Sequence, residues 1–137
     1  MTQIREISTA GGAPVQARRD RGRRAYCTGL AAEDRASALY IAAGLVALET
    51  RWRGKGGEID LIFENDGTIV FCEVKQARTH DAAIASLRPA QMRRIHMAAS
   101  EYLGLCPDGQ LTDTRFDLAS VDGTGHCQIH ENMLAHF

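Results

Sequence analysis

Two apolar runs, Glu58-Ile59-Asp60-Leu61-Ile62-Phe63-Glu64 and Thr68-Ile69-Val70-Phe71-Cys72-Glu73-Val74-Lys75, flank Asn65-Asp66-Gly67 and constrain the fold more than any other feature of this sequence. β-Branched and aromatic residues favour extended chain, and Asp-Gly suits the tight turn whose twist matches a hairpin. With Asp66-Gly67 as the turn, Asn65 opposes Thr68, Asp60 falls opposite Glu73, and Glu58 falls opposite Lys75. A different loop length would shift that register. Glu73 and Lys75 share a face in any register, because side chains alternate with period two. Facing carboxylates repel, and their strands are otherwise apolar. A divalent cation removes the conflict: Mg²⁺ takes hard oxygen ligands, usually one or two carboxylates plus waters and phosphate oxygens. Lys75 beside such a site can hold an attacking water or stabilise phosphoryl charge. The alternative is a surface hairpin with Glu58 and Lys75 as an ordinary cross-strand ion pair.

A first helix is expected from Thr28, a residue suited to an N-cap, to about Gly44. Ala32, Ala36, Leu39, Tyr40 and Ala43 make its apolar face. Glu33 lies at the edge of that stripe, where a carboxylate needs a partner, a metal or a path to water. Leu45 to Trp52 reads as a short strand, followed by the flexible basic loop Arg53-Gly54-Lys55-Gly56-Gly57. After a polar connector from Gln76 to Asp81, a second helix is expected from Pro89 to Leu103. Its stripe is Met92, Ile95, Ala99, Tyr102 and Leu103, and Gln91 flanks that stripe. Thr114 to Val121 and Cys127 to His130 read as two further strands around Asp122-Gly123-Thr124-Gly125.

A length of 137 residues suits one domain with a real core. Residues 1–25, with Gly11-Gly12, Pro14 and a run of arginines, read as a flexible basic arm, and 26–137 as the domain. The net charge of -1 hides an asymmetry: residues 1–94 carry 15 of the 16 basic side chains, and residues 95–137 carry only Arg115 against six acids. Fourteen of the bases are Arg, whose planar fork suits phosphate. They cluster at 18–24, 51–55 and 88–94, which points to a phosphate-facing surface over solvated charge.

No apolar run approaches the roughly 18 residues of a membrane span. Met1 to Glu6 lack the order of a secretory signal. Four cysteines without a CxxC fit reduced thiols, so a cytoplasmic location without membrane contact is expected. His126, Cys127 and His130 carry donors that zinc accepts, but a second cysteine pair at ligand spacing is missing, and a metal-free segment is the expectation.

The order helix, three strands, helix, strand, with an acid, then Asp60, then Glu73-Val74-Lys75, resembles the PD-(D/E)XK nuclease core. More narrowly, Trp52 to Ile62 followed by Phe71-Cys72-Glu73-Val74-Lys75 resembles the YraN-type family. Gly29 with Ala32-Glu33, Ala98-Ala99 with Tyr102-Leu103, and Arg115-Phe116-Asp117 extend the likeness over roughly residues 25–121. The resemblance implies an α/β, restriction-endonuclease-like core (α-β-β-β-α-β) with a mixed central sheet flanked by helices, similar to archaeal Holliday-junction resolvases. It further implies that Asp60 and Glu73 bind Mg²⁺ or Mn²⁺, that Lys75 is catalytic, that Glu33 is an accessory acid, and that Gln91 takes a helix position where many members carry Lys. Arg51 departs from the family, which usually has Asn before Trp.

The expected function is a metal-dependent endonuclease acting on phosphodiesters of DNA, branched or single-stranded. Arg53, Lys55, Arg88 and Arg93 would contact backbone phosphates, which position a substrate without reading its sequence. Resolvase-like relatives are often dimers, so a homodimer is an open expectation, although no exposed apolar stripe demands one. The rival is a nucleic-acid-binding or assembly module that keeps the nuclease core without turnover.

Overall fold

The structure, a computed structural model, describes residues 4–7 and 24–135. The hairpin forms as its sequence requires. Strands β3 (Glu58–Asn65) and β4 (Thr68–Gln76) pair antiparallel, with Asn65 opposite Thr68 and Leu61 opposite Cys72. Asp66 and Gly67 both take positive φ, +50° and +90°, the type I′ geometry that lets two strands leave a turn without splaying.

Strand β2 (Val46–Arg53) pairs antiparallel with β3 on the other side, with a bulge between Ala47 and Glu49. Beyond β4 lies β5 (Thr114–Val121), which runs parallel to it, with Lys75 beside Ser120. Parallel neighbours need a crossover. Here it is built from a short helix, α2 (His80–Ala85), and a longer one, α3 (Pro89–Leu103). Strand β6 (Cys127–His130) pairs antiparallel with β5, and β1 (Ile4–Ile7) with β6, giving a six-stranded mixed sheet in the order β1-β6-β5-β4-β3-β2.

Helix α1 (Arg24–Ala42) covers one face of the sheet: Ala32, Ala36, Leu39 and Tyr40 pack on Leu61, Phe63, Val70, Cys72, Ala119 and Ile129. It ends in a Schellman motif, in which Gly44 at φ +92° lets its N–H reach Ile41 O while Leu45 N–H reaches Tyr40 O. Helix α3 covers the opposite face, where Ala98, Ala99 and Leu103 meet Ile59, Ile62 and Phe71. The order α1-β2-β3-β4-α3-β5 is the expected α-β-β-β-α-β arrangement, consistent with a restriction-endonuclease-like core.

Beyond shifts of one residue at β2 and β4, three elements differ from the sequence expectation. Helix α1 begins at Arg24, not Thr28, so Thr28 lies within the helix instead of capping it. The polar connector after β4 is partly helical: Thr79 Oγ1 accepts from Ala82 N–H and caps α2, whose six residues are too few to show a period. Ile4–Ile7, inside the stretch read as an arm, satisfy the open edge of β6. Residues 1–3 and 8–23 of that arm lie outside the described residues.

The Arg115-Phe116-Asp117 signature is structural. Asp117 is fully buried and accepts from Tyr40 Oη at 2.6 Å, from Arg115 Nε and Nη2 at 3.0 Å, and from Asn132 N–H at 2.8 Å. Those donors stabilise a carboxylate that apolar surroundings alone would not tolerate.

Candidate functional site

Asp60 and Glu73 stand at the point where the β3–β4 ladder loosens. The regular pairing ends at Leu61 and Cys72, and Asp60 Oδ2 accepts from the Val74 backbone N–H at 2.8 Å in place of a further rung. The two carboxyls lie near enough for each to shift the ionisation of the other, as expected of residues that the turn register sets facing each other. Lys75 Nζ lies 3.4 Å from Glu73 Oε2, and both side chains are largely shielded from water. Glu58 does not pair with Lys75; it takes Arg53, at 3.1 Å.

Burial shapes the electrostatics. It raises the Glu73 pKa first, the adjacent Asp60 charge adds to it, and Lys75 offsets only part, leaving Glu73 at about 8. Burial also raises Asp60, opposed by the Val74 N–H. Ionisation of both acids together is therefore disfavoured, which is the situation a cation relieves.

Glu58, Asp60, Glu73, Gln91, Arg94 and Ile95 line an open cleft of about 190 Å³ between the sheet and the start of α3. Gln91 lines the same cleft as the acids, and its Oε1 accepts from the Arg88 N–H at 3.0 Å, which holds the helix start. Arg94 follows Gln91 by three positions and so shares its helical face; that spacing could have placed it in the site from sequence. Glu33 approaches from α1 near enough to feel the charges of Asp60 and Glu58. Its carboxylate pairs with Arg51 Nη2 at 2.9 Å, and burial raises its pKa despite that partner.

The proposed phosphate contacts are exposed. Arg53, expected in the loop, is the last residue of β2 and pairs with Glu58; Lys55 lies on the loop after it, Arg88 caps the start of α3, and Arg93 sits in its first turns. The loop is not free-swinging: Glu101 on α3 accepts from the Lys55 and Gly56 backbone N–H groups at 2.9 and 2.6 Å. A Cβ at Gly54 would lie 2.8 Å from that carboxylate, so a side chain there would push Glu101 from its two N–H partners. His126, Cys127 and His130 do not converge. Cys127 is buried among the residues under α1, whereas His126 meets His80 and Asp122.

Comparison with known proteins is consistent with this architecture. The profile of the Uncharacterised protein family UPF0102 matches residues 32–121. This chain belongs to that family. It is 47% identical over 122 residues to a UPF0102 protein of Ruegeria pomeroyi, covering 89% of this chain and 99% of the relative. A UPF0102 protein of Dinoroseobacter shibae is 44% identical over 131 residues, 96% of this chain and 95% of that one. UPF0102 is the YraN-type family that the motifs from Trp52 to Lys75 resemble. No helix among the described residues is long and apolar enough to cross a membrane.

Proposed function

We propose that this UPF0102 protein is a Mg²⁺- or Mn²⁺-dependent endonuclease acting on DNA phosphodiesters. One observation carries the reading: Asp60 and Glu73 meet in an open cleft with Lys75 against Glu73, on the strand pair that the family signature spans. The donor set fits a hard cation, because both acids are oxygen ligands whose ionisation burial and mutual repulsion oppose. When bound, that cation supplies Lewis-acid polarisation of a phosphodiester and lowers the pKa of a water.

The chain's own residues do the rest. The Val74 N–H fixes the Asp60 carboxylate. Lys75 Nζ donates to the attacking water or to a phosphate oxygen as charge develops there. Arg94 and Gln91, facing the acids across the cleft, suit the scissile phosphate group, and Lys55, Arg88 and Arg93 suit the flanking backbone.

A second reading, binding without turnover, draws on the two arginine pairs. Arg51 occupies Glu33 and Arg53 occupies Glu58, the acids flanking the central pair. A cleavage assay on branched and single-stranded DNA separates the two. The nuclease reading expects nicking with Mg²⁺ or Mn²⁺ that stops in chelator and in Asp60→Ala. Equal DNA retention in all conditions with no cleavage would favour the binding module.

A further inference from the structure

Away from the carboxylate cleft, three ligand-type side chains from separate segments converge. His80 opens α2, and Asp122 and His126 bracket the turn between β5 and β6. His80 Nε2 lies 3.0 Å from His126 Nδ1 and 3.5 Å from Asp122 Oδ2, and the three donor atoms all fall within 4.8 Å of one another. Two ligands held about 2.0–2.1 Å from zinc at tetrahedral angles are roughly 3.3 Å apart, so these spacings suit one ion.

Two of the three ligands, Asp122 and His80, are held from behind. Asp122 Oδ1 accepts from Thr124 N–H, Thr124 Oγ1 and His126 N–H at 2.7–3.0 Å, which leaves Oδ2 facing His80. His80 Nδ1 contacts the buried Ser120 Oγ at 2.7 Å, and Ser120 Oγ contacts the buried His130 Nε2 at 2.8 Å. Such outer contacts fix the tautomer and aim of a metal-binding imidazole. Two imidazole lone pairs cannot face each other at 3.0 Å without a proton or a cation between them.

We propose that His80, Asp122 and His126 form a zinc site, with solvent as the fourth ligand. A bound ion ties the start of α2 to the β5–β6 turn, beside the strand end that carries Lys75. Neither imidazole nitrogen resembles the hard oxygens that Mg²⁺ prefers, so this site and the carboxylate pair sort different metals.

The test titrates the full chain with Zn²⁺ against a chromophoric chelator, and with Co²⁺ followed by its visible bands. We expect one Zn²⁺ per chain, Co²⁺ bands of a four-coordinate imidazole site, and a thermal midpoint raised by Zn²⁺. His126→Ala and Asp122→Asn should each weaken Zn²⁺ binding at least tenfold while retaining the wild-type circular dichroism spectrum. Asp60→Ala should leave it unchanged, whatever becomes of cleavage. If either ligand variant misfolds, imidazole nitrogen shifts of wild-type His80 and His126 on adding Zn²⁺ decide the matter. Shifts at other histidines only, stoichiometric binding lost in Asp60→Ala, or no stoichiometric binding at micromolar Zn²⁺ would overturn the site.

Discussion

Glu73 carries a proton at pH values where a free glutamate does not, because burial and the neighbouring Asp60 disfavour its charge. A carboxyl raised from 4.5 to about 8 on folding binds more protons in the native state than in the unfolded one. Native stability contributed by this group is therefore present below pH 4.5 and falls as pH rises toward 8. We expect the metal-free protein to lose stability across that window in urea titrations, Glu73→Gln to flatten the loss, and Mg²⁺ to reverse it at the alkaline end. In the proposed reaction Lys75 would act at the transition state: Lys75→Ala should cut cleavage about 100- to 1000-fold while DNA affinity changes little, as measured by single-turnover kinetics beside a binding titration. Equal losses in rate and affinity would make it a simple phosphate contact. Arg51 sits at φ +50°, a left-handed conformation that Asn, the residue the resemblance implies there, tolerates better than Arg, and its side chain pairs with Glu33.

At the scale of elements, the loop after β2 is set by a helix 46 residues away in sequence, since Glu101 on α3 accepts from the Lys55 and Gly56 N–H groups. Glu101→Ala should raise amide hydrogen exchange at Lys55 and Gly56 about tenfold or more and leave the β3–β4 amides protected. Unchanged exchange would mean the glycines alone hold the loop. This contact was not legible in the sequence, where Arg53 to Gly57 read as flexible, because nothing local links that loop to residue 101. The hairpin was legible down to its register, since Asp66-Gly67 and the alternation of β3 and β4 are local signals. Helix α3 was legible to the residue, because Pro89 and Gly104 mark both ends. Strand β1 was not: four residues carry too little periodicity, and their pairing with β6 is decided at the other end of the chain. The same limit hid the His80, Asp122 and His126 cluster, which no sequence spacing connects.

Over the whole molecule, the basic residues of the first 94 positions include Arg94, which lines the cleft, and the exposed side chains of Arg53, Lys55, Arg88 and Arg93. DNA affinity should therefore be strongly salt-sensitive, with each neutralised phosphate adding about 0.9 to the slope of log affinity against log salt on duplex DNA. Replacing Arg53 and Lys55 together should lower that slope by up to about two in a fluorescence-anisotropy titration; an unchanged slope would assign both to solvent. The central claim concerns the cleft itself, and one measurement reaches it directly: anomalous diffraction at the manganese edge from crystals soaked in Mn²⁺. We expect a peak within ligand distance of both Asp60 and Glu73 in the wild-type protein and no such peak in Asp60→Ala. A fully occupied manganese elsewhere, with no peak between the two carboxyls, would contradict it.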